Sequence, residues 1–320
     1  MFDPELERLK NVDLRAYAAG QGYQLDKKES WRGSAVMRHP NGDKIVIKRG
    51  DDGHYLYFSV RRDDDNSTII DFVQHRQRLS LGAARKELRP WIGMPSSSLP
   101  RYPPLPKTSK DRLRVETEFA RMQDALHHPY LENERGIPGE LLECDRFAGM
   151  IRIDARGNAV FPHFDRLGLC GYEIKNHGFM GFAAGGTKGL WLSHEKLEDN
   201  RLVISESAID SLSFAVLFPD PDDRTRYASI GGKLNPEQPE LIRAAIGDMP
   251  PKSRIVSAMD ADAEGGKLAE VVRQAIQLSG RDDLCFVFQE PFGFKDWNDQ
   301  LRGNFASCFR AARRQEPSVG

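Results

Sequence analysis

Two short apolar runs in the C-terminal third of the chain end in carboxylates: Leu202-Val203-Ile204-Ser205-Glu206, and Arg254-Ile255-Val256-Ser257-Ala258-Met259-Asp260-Ala261-Asp262. Acids held together at one place repel one another unless a divalent cation lies between them. Hard oxygen ligands of this kind suit Mg²⁺ or Mn²⁺, and phosphate chemistry is the usual use of such a site. Glu206, Asp260 and Asp262 are therefore the candidate metal ligands and the candidate catalytic residues.

Holding these acids together requires particular elements. An apolar run of four to six residues bounded by turn signals reads as a strand buried on both faces. Carboxylates at the carboxyl ends of such strands project into the crevice where open α/β sheets bind ligands. Residues 208–216 have helical apolar spacing, Tyr227-Ala228-Ser229-Ile230 reads as a strand closed by Gly231-Gly232, and Asn235 to Ile246 reads as an amphipathic helix with Pro236 in its first turn. Gly265-Gly266 opens a helix to about Leu278, and Leu284-Cys285-Phe286-Val287-Phe288 supplies a fourth strand. This alternation implies a parallel sheet with right-handed crossovers, with both acidic strand ends on one edge.

The glutamate followed by a DxD pair on a compact four-stranded α/β unit resembles the Toprim domain shared by bacterial primases, topoisomerases and several nucleases. Glu206 matches the family glutamate, Asp210 the acid that often follows it, and Asp260 and Asp262 the DxD pair. Ala228-Ser229-Ile230-Gly231-Gly232 matches the small-residue turn, and Lys295-Asp296-Trp297-Asn298-Asp299 resembles the ending of primase-type members. Asp210, Asp296, Asn298 and Asp299 are thus expected to support the site. Ser207 stands where the family usually has glycine.

Upstream, Tyr130-Leu131-Glu132-Asn133-Glu134-Arg135-Gly136-Ile137 resembles the helix end that opens the catalytic core of bacterial replicative primases. Residues 159–165 and 169–175 read as paired strands resembling a primase hairpin, followed at Gly185 to Trp191 by a basic loop. The combination is similar to Toprim proteins of plasmids and conjugative elements. Arg135, Lys175, Lys188, Lys233 and Lys295 are candidate contacts to nucleotides or nucleic acid; the competing reading of any one of them is a solvated surface cation. Gly185-Gly186-Thr187-Lys188 is not a P-loop, because the G-x-x-x-x-G-K-[ST] pattern is absent.

Near the N-terminus, Asn41-Gly42 and Asp52-Gly53 flank alternating runs, a strong hairpin signal. Helical patterns lie at Pro4 to Ala19, Ser67 to Arg76 and Ser80 to Arg89. The order resembles the zinc ribbon that begins bacterial primases, but Met37 and Tyr55-Leu56-Tyr57-Phe58 replace the cysteines. The lone His39 cannot build a tetrahedral site, so a zinc-free ribbon is expected. The resulting division is a degenerate ribbon at 1–93, a Pro/Ser-rich basic linker at 94–111, a primase-core subdomain of α+β type at 112–198, a Toprim domain at 199–300 and a basic tail at 301–320. The expected fold class is α/β.

The 320 residues carry 46 Lys+Arg against 47 Asp+Glu, so any affinity for phosphate must come from local patches. Acids gather at the candidate metal site and at Asp63-Asp64-Asp65; cations gather in the linker and at Arg302, Arg310, Arg313 and Arg314. Four scattered cysteines, Cys144, Cys170, Cys285 and Cys308, read as reduced core thiols. No apolar run approaches a membrane span and the charged N-terminus is not a signal peptide, so a cytoplasmic protein is expected. The resemblance over residues 112–198 favours a primase-like nucleotidyltransferase, with a Toprim nuclease of DNA or RNA and an inactive nucleic-acid adaptor as the alternatives. The expected partners are single-stranded DNA or other nucleic acid, nucleoside triphosphates, and replication or conjugation proteins.

Overall fold

The computed structural model describes residues 3–31, 33–60, 65–93, 100, 102–107 and 109–303. Asp63, Asp64, linker residues 94–99, and the tail with Cys308, Arg310, Arg313 and Arg314 lie outside the described residues. The chain forms two compact units, Met1–Lys110 and Asp111–Gly320.

The first unit is a five-stranded antiparallel meander, β1 (Gln24–Leu25), β2 (Ala35–Arg38), β3 (Lys44–Arg49), β4 (Tyr55–Ser59) and β5 (Asn66–Thr68). Both predicted hairpins are present, with β2 pairing β3 and β3 pairing β4. Period-two alternation sends Ile45 and Ile47 of β3 into the core. There they meet Tyr17, Tyr57 and the Ile69, Phe72 and Val73 face of a helix. The helices are α1 (Pro4–Lys10), α2 (Leu14–Gly20), α3 (Ile69–Gln77) and α4 (Leu81–Leu88). The single helix expected over Pro4 to Ala19 is broken, because Asp13 adopts an extended conformation and caps α2 by accepting from Arg15 N.

Met37 is wholly buried apolar core. His39 is half-buried with its ring 4.9 Å from that of Tyr23. A polar network ties the sheet to α3: Tyr57 OH donates to Asp65 Oδ1 at 2.5 Å, Arg76 Nη1 meets Asp65 Oδ2 at 2.6 Å, and Arg76 Nε donates to Asp43 Oδ2 at 2.8 Å. Part of the expected linker is built into this unit. Arg15 donates to Pro103 O at 2.5 Å and faces the Tyr102 ring, Leu105 is buried, and Lys107 bridges to Arg49.

The second unit contains two sheets. The first, in order β10-β9-β8-β7-β6, is antiparallel: β6 (Gln123–Asp124), β7 (Arg152–Ile153), β8 (Ala159–Asp165), β9 (Gly168–Asn176) and β10 (Phe179–Phe182). It carries α5 (Arg112–Phe119) and α6 (Gly139–Glu143), with a π-turn at Tyr130–Glu134. The second has the order β11-β13-β12-β14-β15, from β11 (Trp191–Leu192), β12 (Arg201–Ser205), β13 (Thr225–Ser229), β14 (Arg254–Ala258) and β15 (Cys285–Phe288). Its last four strands are parallel, as expected; β11 adds an antiparallel edge, so the sheet is mixed. Helices α7 (Ala208–Leu217), α8 (Gln238–Gly247) and α9 (Ala263–Ser279) connect them. α8 begins later than expected because Asn235 Oδ1 accepts from Glu237 N and Gln238 N, placing Pro236 in the capping turn. One apolar core, including Phe147, Trp191, Val203, Leu212 and Trp297, joins both sheets. Leu301 is buried in it, so the helix at 297–303 continues the fold past the expected start of the tail. Of the cysteines, Cys170 is buried, Cys144 intermediate and Cys285 exposed on the edge strand instead of in the core.

Candidate functional site

β12 and β14 are adjacent and parallel, with Ser205 opposite Ala258, so Glu206 and Asp260 leave the sheet at the same edge. Asp260 N lies 3.4 Å from Glu206 Oε1. Ser207 holds φ −130° and ψ 160°, an extended conformation open to any residue, so the position does not need glycine. Its hydroxyl donates to Asp210 Oδ2 at 2.6 Å and accepts from Asp210 N at 3.2 Å, capping α7 and fixing the buried Asp210 beneath the strand end. Gly265 is required here: a Cβ would lie 2.1 Å from Asp260 O, so only glycine lets the first turn of α9 rest on the loop. Asp262 is exposed and caps α9, its Oδ1 accepting from Glu264 N and Gly265 N at 3.0 and 2.9 Å.

The Lys295–Asp299 segment reaches the same edge. Ala261 N donates to Lys295 O at 2.8 Å, and the buried Trp297 donates from Nε1 to Ala258 O at 3.0 Å. Asn298 N lies 3.4 Å from Asp210 Oδ1, while its Nδ2 donates to Arg135 O at 2.7 Å and Ser213 Oγ at 3.0 Å. Asp296 Oδ1 accepts from Asp299 N at 2.6 Å. Asp299 itself faces Arg302 at the surface, 3.7 Å away, and does not join the acids.

The electrostatics mark an acid cluster. Burial, then the charges of Asp210 and Asp262, push Glu206 up to about 7. Asp260 is raised by burial and by Asp210, Glu206 and Asp296; Asp210 is raised by burial and by Asp296. Asp260 Oδ1 is buried with no hydrogen-bond partner. A buried, partnerless carboxylate oxygen amid three further acids fits a hard divalent cation. The acids that act on one another at this edge are Glu206, Asp210, Asp260 and Asp296, with the exposed Asp262 at the start of α9. No three His, Cys, Asp or Glu side chains among the described residues form a ready-made cage.

The candidate cations divide into two groups. Arg135 ends the π-turn, with its guanidinium 5.1 Å from the Tyr130 ring centre, Nε donating to Tyr130 OH at 2.9 Å and Nη1 to Asn298 Oδ1 at 3.3 Å. It lines an open cleft of about 850 Å³ with residues 132–140 and Arg302. Lys295 lowers Glu206 and Asp260 electrostatically, and the buried Lys175 lowers Asp210. Lys188 and Lys233 sit one neighbour further out, Lys188 Nζ donating to Lys233 O at 2.7 Å. Sequence reasoning missed Glu173 and His163, buried beside Lys175; the visible signal was the Glu173-x-Lys175 alternation in an otherwise apolar strand.

The Toprim-like family matches residues 203–301, and a family described as a protein of unknown function (DUF3991) matches residues 129–200. Residues 203–301 are a Toprim-like domain. No curated protein matches the chain. Similar solved structures include a DNA primase domain from Pseudomonas aeruginosa, at 15% identity over 64% of this chain and 78% of that one, with a TM-score of 0.39. The primase fragment of the bacteriophage T7 primase-helicase protein is 16% identical over 82% and 92%, with a TM-score of 0.38. A DnaG primase catalytic domain bound to single-stranded DNA is 16% identical over 64% and 78%, also at 0.38. Likenesses this distant carry no argument about activity. Among the described residues no helix is long and apolar enough to cross a membrane.

Proposed function

We propose that the chain is a metal-dependent phosphoryl- or nucleotidyl-transfer enzyme acting on nucleic acid, of primase-like type and belonging to a plasmid or other mobile element. The observation that carries this reading is the buried, partnerless Oδ1 of Asp260 among Glu206, Asp210 and Asp296 at the edge of a Toprim-like sheet. Glu206, Asp260 and Asp262 are the catalytic acids and would hold Mg²⁺ or Mn²⁺, with Asp210 and Asp296 behind them. A divalent ion held by these acids would supply neutralisation of phosphate charge and of the charge that develops in transfer. Glu206, pushed up to about 7, is suited to take the proton of the attacking hydroxyl or to complete the metal site. Arg135 and Lys175 orient phosphates from the two sides, Lys188, Lys233 and Lys295 extend the basic rim, and Asn298 fixes Arg135. Single-stranded DNA and nucleoside triphosphates are the substrates, replication or conjugation proteins the partners and the cytoplasm the setting.

The experiment is incubation with single-stranded DNA, labelled ribonucleotides and Mg²⁺ or Mn²⁺. New ribonucleotide-dependent primers, lost in Asp260→Ala, are the expected result. Shortened substrate without added nucleotides would replace this reading with a nuclease. Neither product, with strand binding unchanged in Asp260→Ala, would leave a non-catalytic adaptor.

A further inference from the structure

We propose that Glu173 is a positioning residue, whose buried carboxylate holds Lys175, and with it Lys188 and Lys233, in place for a phosphate ligand; this rests on the phosphate-transfer reading above. Glu173 and Lys175 alternate on β9 and so share one face of the strand. Both are buried, Glu173 to 6% exposure and Lys175 to 9%. Burying a carboxylate is costly unless it is paired. Glu173 Oε2 lies 3.3 Å from Lys175 Nζ, and Glu173 Oε1 lies 3.2 Å from Nε2 of the fully buried His163. His163 is fixed in turn, its Nδ1 2.7 Å from Gly189 O.

The carboxylate is also wedged beneath the turn that follows β13. A Cβ on Gly231 would lie 1.9 Å from Glu173 Oε1 and 2.7 Å from His163 Cε1, and its φ of +68° independently favours glycine. The next residue, Gly232, donates its N–H to Glu206 O at 2.8 Å, and Lys233 follows. One turn thus touches the lysine holder on one side and the acid strand end on the other. Burial would raise Glu173, yet Lys175, His163 and Lys188 hold it well below the usual carboxylate range. Lys188 is lowered by burial and by Lys175 and Lys233, while Glu173 opposes the shift. Without Glu173 the three ammonium groups repel one another and Lys175 loses one of its contacts.

A mere counter-charge and a positioning residue predict opposite signs. Removing a counter-charge raises the local positive potential and tightens phosphate binding. Removing a positioning residue weakens it. The test measures binding of Mg·ATP and of a labelled oligothymidylate to the full chain, as wild type, Glu173→Gln and Glu173→Asp, across pH. The expected result is Glu173→Gln binding at least about tenfold weaker. Its affinity should also fade at lower pH than in wild type, because Lys188 loses its proton sooner beside Lys175 and Lys233 and without the acid. Glu173→Asp, which keeps the charge at shorter reach, should restore the pH profile and part of the affinity. Loss confined to Mg·ATP assigns the lysines to a triphosphate; loss confined to the oligonucleotide assigns them to a strand backbone. Equal or tighter binding by Glu173→Gln with an unchanged pH profile overturns the inference alone. A wild type that binds neither probe overturns the phosphate reading as well. If Glu173→Gln does not fold, Glu173→Asp decides, since it keeps the charge at shorter reach: weakened binding supports the proposal and unchanged binding ends it.

Discussion

Asp260 is a residue whose surroundings oppose its own charge. Because Glu206, Asp210 and Asp260 are raised in the folded chain, the folded state holds protons that the unfolded state would release. Stability of the metal-free protein should therefore fall as pH rises from the unfolded carboxylate range near about 4, through about 7, where Glu206 titrates. We expect thermal melts in a chelator to show that decline, and added Mg²⁺ to raise the melting temperature most at the upper end. Asp260→Asn should stabilise the metal-free protein by about 1 kcal/mol or more, since one pKa unit corresponds to roughly 1.4 kcal/mol, while abolishing transfer. A flat pH profile, or a lowered melting temperature in Asp260→Asn, would refute this account. Glu206 and Asp260 could be read from sequence because each follows a buried strand, a local pattern. Asp262 shares the motif, but the sequence does not show that its carboxylate is engaged in capping α9. Glu173 left a signal in its alternation with Lys175, but its pairing with His163 was not legible, since strand pairing across the bulge at His163/Phe164 and the turn at Gly231 bring them together.

At the scale of elements, β12 to β14, α8 and α9 were readable because those strands are buried on both faces and those helices are amphipathic. β15 and α7 were readable as apolar runs, one at the exposed edge and one buried nearly all round. The break at Asp13 and the packing of Tyr102 to Lys107 were not, since a single cap and a single arginine decide them. The first unit offers a test of what closes its sheet onto α3. Asp65 is buried, which raises it, but Tyr57, His75 and Arg76 outweigh that and hold it low. A depressed folded value means that this stability is present above the unfolded carboxylate range near about pH 4 and is lost as pH falls below it. Asp65→Asn should cost about 2–3 kcal/mol, less than the roughly 3–5 of a fully buried pair, because Arg76 keeps Asp43. Urea melts should also show a flatter acid limb in that variant. The expected absence of zinc from the first unit is tested separately: purified protein should contain no stoichiometric zinc and its melting should not change on chelation. Tightly held zinc would refute the ligand argument.

At the scale of the molecule, the residues expected as separate subdomains at 112–198 and 199–300 fall in one compact unit with a common core. Arg146 joins them: it is 2% exposed, with Nη2 2.7 Å from Asp199 Oδ1, Nε 2.9 Å from Asp223 Oδ1 and Nη1 donating to His194 O at 2.7 Å. Arg146→Ala leaves Asp199 buried and unpaired, and should cost about 3–5 kcal/mol. The antiparallel sheet and the Toprim-like domain should then melt together at a lower temperature; two separated transitions would contradict the shared core. Strand binding should weaken with salt only gently, with a slope of about −2 to −3, as expected for three or four phosphate contacts to single-stranded nucleic acid at about 0.7 each. A slope near zero would remove the lysines from the interface.

The apolar Met37 and the Asp65–Arg76 staple together have a chemical consequence. All four cysteines lie beyond residue 140, so the first unit contains no thiol. A ribbon closed by zinc thiolates opens when oxidants convert its sulfurs to disulfides or sulfenic acids and expel the metal. The first unit is instead closed by a carboxylate, a guanidinium and phenols, none of which reacts as a thiolate does under those conditions. The first unit therefore has no thiol chemistry to lose, and thiol-specific oxidants should leave its fold intact.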